Sequence, residues 1–159
     1  MRSGIRMAKI GDTPTIYRFI CDLAEFEKAP QEVTTNVAEL EKTVFGDDAV
    51  VDALIYEIDG EPVAFAIWYY SFSTWQGKPG VYLEDLYVTP AARGRGIGNE
   101  ILKFLARHAL DNGYGRFEWS VLDWNEPAIR VYDAAGAKPQ SDWIRYRLAG
   151  VDLERFAAV

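Results

Sequence analysis

The chain has 159 residues, 49% apolar and 14% aromatic, which suits one domain spanning 1–159 and excludes disordered and fibrous classes. Seventeen bases against 24 acids leave a formal charge of -7, the wrong sign for a nucleic-acid binder and favourable to small cations. One Cys and one His exclude an intrachain disulfide and a Cys- or His-based metal site. No apolar run reaches membrane length, and the opening MRSGIRMAKIGD lacks a signal-peptide core, so a cytoplasmic protein without membrane or metal is expected.

Ile5 to Lys9 reads as a first strand. Gly11-Asp12-Thr13-Pro14 supplies a cap and an early proline for a helix whose Ile16, Phe19, Ile20, Leu23 and Phe26 recur at helical spacing as far as about Glu27. A second helix is expected over Thr35 to Phe45, with Val37, Leu40 and Val44 inward and Gly46 as its stop. Two strands, Val50 to Ile58 and Pro62 to Phe72, flank Asp59-Gly60, a strong hairpin signal. Val81 to Val88 forms the next strand. Ile101, Leu102, Leu105, Ala109 and Leu110 then mark an amphipathic helix ending at Asn112-Gly113, with His108 on its solvated side. Phe117 to Val121 is a strand, Asn125 caps a helix closing at Gly136, and Trp143 to Leu148 is a final strand. This order is an α/β (α+β) arrangement, a mixed central sheet with helices on both faces.

The segment Arg93-Gly94-Arg95-Gly96-Ile97-Gly98-Asn99 lies between a strand and a helix. Its glycines permit tight turns and close ligand approach, the helix start offers unpaired N–H groups, and two arginines add positive charge. Together they suit a pyrophosphate. No Gly-Lys-Ser/Thr follows, so this is not a Walker loop, and three preceding strands fit a dinucleotide fingerprint poorly.

Arg93-x-x-Gly96-x-Gly98 in this context resembles the acetyl-CoA signature of the GNAT N-acetyltransferase superfamily. Trp124-Asn125-Glu126-Pro127-Ala128-Ile129-x-x-Tyr132-x-x-x-Gly136-Ala137 is similar to its second cofactor motif. The stretches Asp22 to Glu27, Trp75-x-Gly77-Lys78 and Tyr82 to Val88 resemble the diamine branch, which includes spermidine/spermine and thialysine-type acetyltransferases.

The resemblance implies a GNAT fold and direct acetyl transfer from acetyl-CoA to a primary amine in a ternary complex. An amine with a pKa of about 10.4 must lose a proton, the developing oxyanion needs a donor, and the leaving thiolate benefits from an acid. Glu84 is the implied base and Tyr132 the implied acid. Alternation on the strand groups Tyr82, Glu84, Leu86 and Val88 on one face, where apolar neighbours would raise the Glu84 pKa. Asp85 points the other way and is read as structural or as a hydrogen-bonding partner.

The backbone of Leu86, Tyr87 and Val88 is expected to pair with the pantetheine arm, with an N–H near Leu86 as oxyanion donor. The amides from Gly94 to Asn99 are expected to hold the pyrophosphate, and Asn125, Ala128 and Tyr132 to complete the cofactor site. Phe26, Glu27, Trp75 and Glu84 are the substrate-binding candidates. Lys28-Ala29-Pro30-Gln31 is less acidic than the matching stretch of polyamine enzymes, so a small diamine or a thialysine-like amino acid fits as well as a polyamine. A homodimer is implied, with Trp68 to Trp75 and the final strand as contact surfaces. The alternatives are a protein lysine or N-terminal acetyltransferase and a non-catalytic acyl-CoA-binding module.

Overall fold

The computed structural model describes residues 1–158. Contacts divide the chain into a unit of Met1–Asp123 and a second beginning at Trp124. The first holds a five-stranded sheet in the order β1 (Ser3–Met7), β2 (Val51–Ile58), β3 (Glu61–Ser73), β4 (Lys78–Val88) and β5 (Phe117–Trp119). Neighbouring strands are antiparallel except β4 and β5, which run parallel. Three helices complete the unit: α1 (Thr13–Phe26), α2 (Val37–Phe45) and α3 (Ile97–Asp111).

The β2–β3 hairpin turns at Asp59 and Gly60, with φ of 50° and 83°. Two successive positive φ values give the turn twist that matches a right-handed strand pair. Ala53 to Tyr56 on β2 and Ala64 to Trp68 on β3 are buried without alternation. Both sheet faces are covered there, which explains the unbroken apolar runs. On one face Ile16 and Phe19 of α1 and Leu40 and Val44 of α2 pack with Ala53, Ile55, Phe65, Ile67 and Tyr87. On the other lies α3, which buries Ile101, Leu102, Leu105 and Ala109. Leu110, expected to mark the apolar stripe, is 67% exposed and lies outside it.

The starts of α1 and α2 differ from expectation in different ways. Asn36 caps α2 by accepting from the Glu39 N–H at 3.0 Å, which trims the expected start at Thr35. Asp12 precedes α1 but makes no side-chain cap. Its carboxylate instead takes a bidentate bond from Arg6, at 2.7 and 2.8 Å, and accepts from the Lys9 N–H. Arg6 also bonds Glu57 of β2, so this group ties β1, β2 and the entry to α1 together, and the guanidinium holds the Asp12 pKa below its usual value.

His108, expected on the solvated side of α3, is half-buried and bonded to a neighbouring strand. Its Nε2 lies 2.9 Å from the Tyr70 hydroxyl, which donates to the Asp52 carboxylate at 2.8 Å. Burial, aided by Asp52, pushes the Tyr70 pKa up to about 12. Sequence periodicity assigned each of these residues separately and could not show that β2, β3 and α3 meet there.

The second unit, described by itself, contains α4 (Glu126–Ala134) and α5 (Gly150–Ala157). Asn125 caps α4, accepting from the Ala128 N–H at 3.4 Å, and Gly136 follows its end at φ 86°. The final strand expected over Trp143 to Leu148 is not formed, and α5 follows instead. Trp143, Ile144 and Tyr146 are 72%, 79% and 90% exposed. A strand exists by ladder pairing, and the described residues of this unit contain no strand for that apolar stretch to pair with.

Candidate active site

The sheet positions the candidate residues through an irregularity in β4. Ile67 pairs with Asp85 but Trp68 pairs with Leu83, so β4 carries one extra residue, a bulge at Glu84. The bulge resets the alternation. Leu83 lies opposite Trp68, which packs edge-on against His108 of α3. Leu86, three residues on, also faces α3 and approaches Gly98. Tyr87 faces the other way, its ring 5.6 Å from that of Phe19. The expected grouping of Tyr82, Glu84, Leu86 and Val88 on one face therefore fails at the bulge.

Glu84 is exposed rather than set among apolar neighbours. Asp85 is the half-buried carboxylate of the pair, opposite the core residue Ile67. Desolvation, with smaller contributions from Glu84 and Glu27, pushes the Asp85 pKa up to about 6. Glu27 is also raised, first by its own burial and then by Glu84. Glu27, Glu84 and Asp85 thus sense one another's charge. A cluster of this kind attracts a cationic amine and lowers the cost of its burial.

Glu27 is delivered by the end of α1. There the Lys28 N–H bonds the Glu25 carbonyl and the Ala29 N–H bonds the Ala24 carbonyl, a Schellman closure. It requires a left-handed residue, and Lys28 fills that place at φ 61° instead of the usual glycine. Phe26, just before, is 42% exposed.

β5 pairs with β4 only from Val81 to Leu83. Beyond that, among the described residues, Asp85 to Val88 have a ladder partner on the β3 side alone. The backbone of Leu86, Tyr87 and Val88 therefore has no strand partner on that side and can take an extended ligand, although the Val88 carbonyl already accepts from Arg93 Nε at 2.9 Å. The chain then passes Pro90 to Ala92 and enters α3 through Gly94 and Gly96, both left-handed at φ 77° and 80°. A Cβ at Gly94 or Gly96 would meet nothing within 4 Å, so the space over this loop is open. Gly96 is the α3 N-cap and makes no side-chain bond, leaving the first-turn amides of Ile97, Gly98 and Asn99 for a ligand. The Glu100 carboxylate in that turn accepts from the Tyr56 hydroxyl at 2.9 Å, a link that the sequence did not signal. This open edge, leading into a glycine turn and a helix start, fits a pantetheine arm followed by a pyrophosphate.

Met1–Asp123 thus brings together Glu27, Glu84 and Asp85 and places the open β4 edge just ahead of the Arg93 to Asn99 loop. Trp75 is not among them. It precedes β4 at the opposite end, about 20 Å along the strand from Glu84, is 82% exposed, and lies under the Arg116 guanidinium. In the second unit Tyr132 is half-buried on α4, one turn beyond Ala128.

The Acetyltransferase (GNAT) family profile matches residues 16–137, and the chain belongs to this family. It is an acetyl-transferring enzyme, and enzymes of the family use acetyl-CoA as co-substrate. The chain is 38% identical to the thialysine N-epsilon-acetyltransferase of Sus scrofa, with 96% of each chain covered. It is 36% identical to the human spermidine/spermine N(1)-acetyltransferase-like protein 1, over 94% of this chain but 23% of that much longer protein. An integron cassette protein from the V. cholerae mobile metagenome superposes with a TM-score of 0.84 at 22% identity, covering 100% of this chain and 99% of the other, a likeness of fold. No helix among the described residues is long and apolar enough to cross a membrane.

Proposed function

We propose that the protein transfers acetyl from acetyl-CoA directly to a primary amine of a small cationic substrate, a thialysine-like amino acid or a short diamine, in a ternary complex. The observation carrying this reading is the open β4 edge from Leu86 to Val88 between a carboxylate cluster and the glycine turn into α3. Acetyl-CoA supplies the activated thioester. Leu86, Tyr87 and Val88 hold its pantetheine by backbone pairing, and the amides from Gly94 to Asn99 hold its phosphates, aided by Arg93 and Arg95. Asn125 and Ala128 complete that site.

Glu27 and Asp85 hold the ammonium near the β4 edge, with Phe26 beside them. Glu84, exposed and hydrated, takes the amine proton through water. The amide near Leu86 donates to the developing oxyanion, and the Tyr132 hydroxyl returns a proton to the departing sulfur. Residues 1–159 act as one catalytic domain in this reading, since the family match crosses Asp123.

A cytoplasmic homodimer belongs to the same proposal. The exposed Phe72 and Trp75, and the apolar stretch from Trp143 to Leu148, offer surface for a second copy. Light scattering is expected to give twice the chain mass at micromolar concentration, and a stable monomer would overturn that part. The substrate is tested by a thiol-release panel of thialysine, lysine, ornithine, short diamines, spermidine, spermine and lysine peptides. Highest kcat/KM on thialysine or a short diamine is expected. Preference for the peptides favours a protein acetyltransferase, and no turnover with coenzyme A binding intact favours a binding module.

A further inference from the structure

Arg93 opens the glycine loop, yet its guanidinium lies over two aromatic rings from different elements. Its centre is 5.2 Å from the Phe26 ring at the end of α1 and 5.6 Å from the Tyr87 ring on β4. Its Nε donates to the Val88 carbonyl at 2.9 Å. The planar cation thus joins the helix end that carries Glu27, the strand with the open edge and the start of the phosphate-binding loop. We infer that Arg93, besides lending its charge to the phosphates, is a positioning residue: through Phe26 it couples order in the cofactor loop to the placement of Glu27 at the amine side.

The inference rests on the proposed function and extends it. A ligand that fixes the Arg93 to Asn99 loop fixes the plate on which Phe26 sits, and therefore the residue after Phe26. The coupling must be reciprocal, so a change at Phe26 has to be felt by coenzyme A, although Phe26 belongs to the amine side. The Nε bond to the Val88 carbonyl fixes the guanidinium over both rings, and lysine, with a carbon in place of Nε, would keep the charge and lose that joint.

A double-mutant cycle on coenzyme A affinity, read by calorimetry on the full chain, tests this. Phe26→Leu is expected to weaken coenzyme A binding measurably, by up to about two- to fivefold, the ceiling set by an exposed cation–π contact. Phe26→Tyr, which keeps the ring, is expected to retain the affinity. In an Arg93→Gln background Phe26→Leu should have no further effect, and Arg93→Lys should behave like Arg93→Gln toward Phe26. Arg93→Gln should also raise KM for thialysine in the thiol-release assay. Additive effects of the two substitutions, or unchanged affinity in Phe26→Leu, would overturn the coupling while leaving the proposed function standing. A wild type that binds no coenzyme A would overturn both.

Discussion

Asp85→Asn gives the most direct reading of the carboxylate cluster. Asp85 carries a folded-state pKa of about 6 against an ordinary value of 3.8. The folded protein therefore holds this proton more tightly than the unfolded chain. Stability from that proton is full below about 3.8 and is lost as pH rises through about 6. The gap between the two values corresponds to about 3 kcal/mol lost by pH 7, an upper bound because Asp85 is only half-buried, so water offsets part of its desolvation, and because salt screens the smaller contribution of Glu84. For a chain of this size that ceiling is about 6–12 °C in Tm, and roughly 5 °C is expected below it.

Asparagine resembles the protonated carboxyl and cannot ionise. The difference between the two proteins should be smallest near pH 3, and the variant should gain progressively on the wild type from there up to pH 7.5. The measurement is scanning calorimetry of both proteins across that range, with the difference in Tm as readout. The pH dependence of that difference removes the titration of groups remote from Asp85 and leaves any fixed cost of the buried amide as a constant offset. A difference that stays constant with pH would refute the assignment of the raised pKa to Asp85. The same variant should bind the amine more weakly, raising its KM, because one negative charge of three is gone.

Three further outcomes follow from the site and its supports. Gly96→Asp, with a side chain forced onto φ 80° and a charge repelling phosphate, should abolish measurable coenzyme A binding in calorimetry while leaving the circular dichroism spectrum intact. Tyr132→Phe should lower turnover roughly a hundredfold with acetyl-CoA affinity retained, and high pH should not rescue it; Glu84→Gln should regain rate near the amine pKa, where solution supplies free amine. Lys28→Gly should raise stability in urea unfolding by up to about 1 kcal/mol, because the left-handed closure of α1 then carries no Cβ.

The sequence made local punctuation legible and left side-chain geometry across elements hidden. Asp59-Gly60 announced its hairpin because few residue pairs accept two positive φ values. Asn125 announced the start of α4 through its capping oxygen. The stripe of α3 was legible in Ile101, Leu102, Leu105 and Ala109, which are buried. Lys28 gave no warning of its left-handed conformation, since glycine is the residue that normally signals it. Asp12 looked like a cap because its type and position were right, but Arg6 arrives from β1 and takes the carboxylate. Trp143 to Leu148 has strand composition, and composition cannot supply a pairing partner.

The bulge at Glu84 carried no signal either, and much of the proposed site depends on it. No glycine or proline marks it, and Val81 to Val88 reads as one regular strand. Without the extra residue every side chain beyond Leu83 would change faces. Leu86 would leave α3 for the α1 side, Tyr87 would turn away from Phe19, and the ring now next to Arg93 would be lost to it. The bulge also falls where β5 stops pairing with β4, so the ladder ends and the phase changes at the same place. A carboxylate cluster, an open backbone edge and an aromatic seat for Arg93 thus arise from one added residue. The motif residues could be recognised in order along the chain, but their common geometry comes from a strand irregularity that their spacing does not encode.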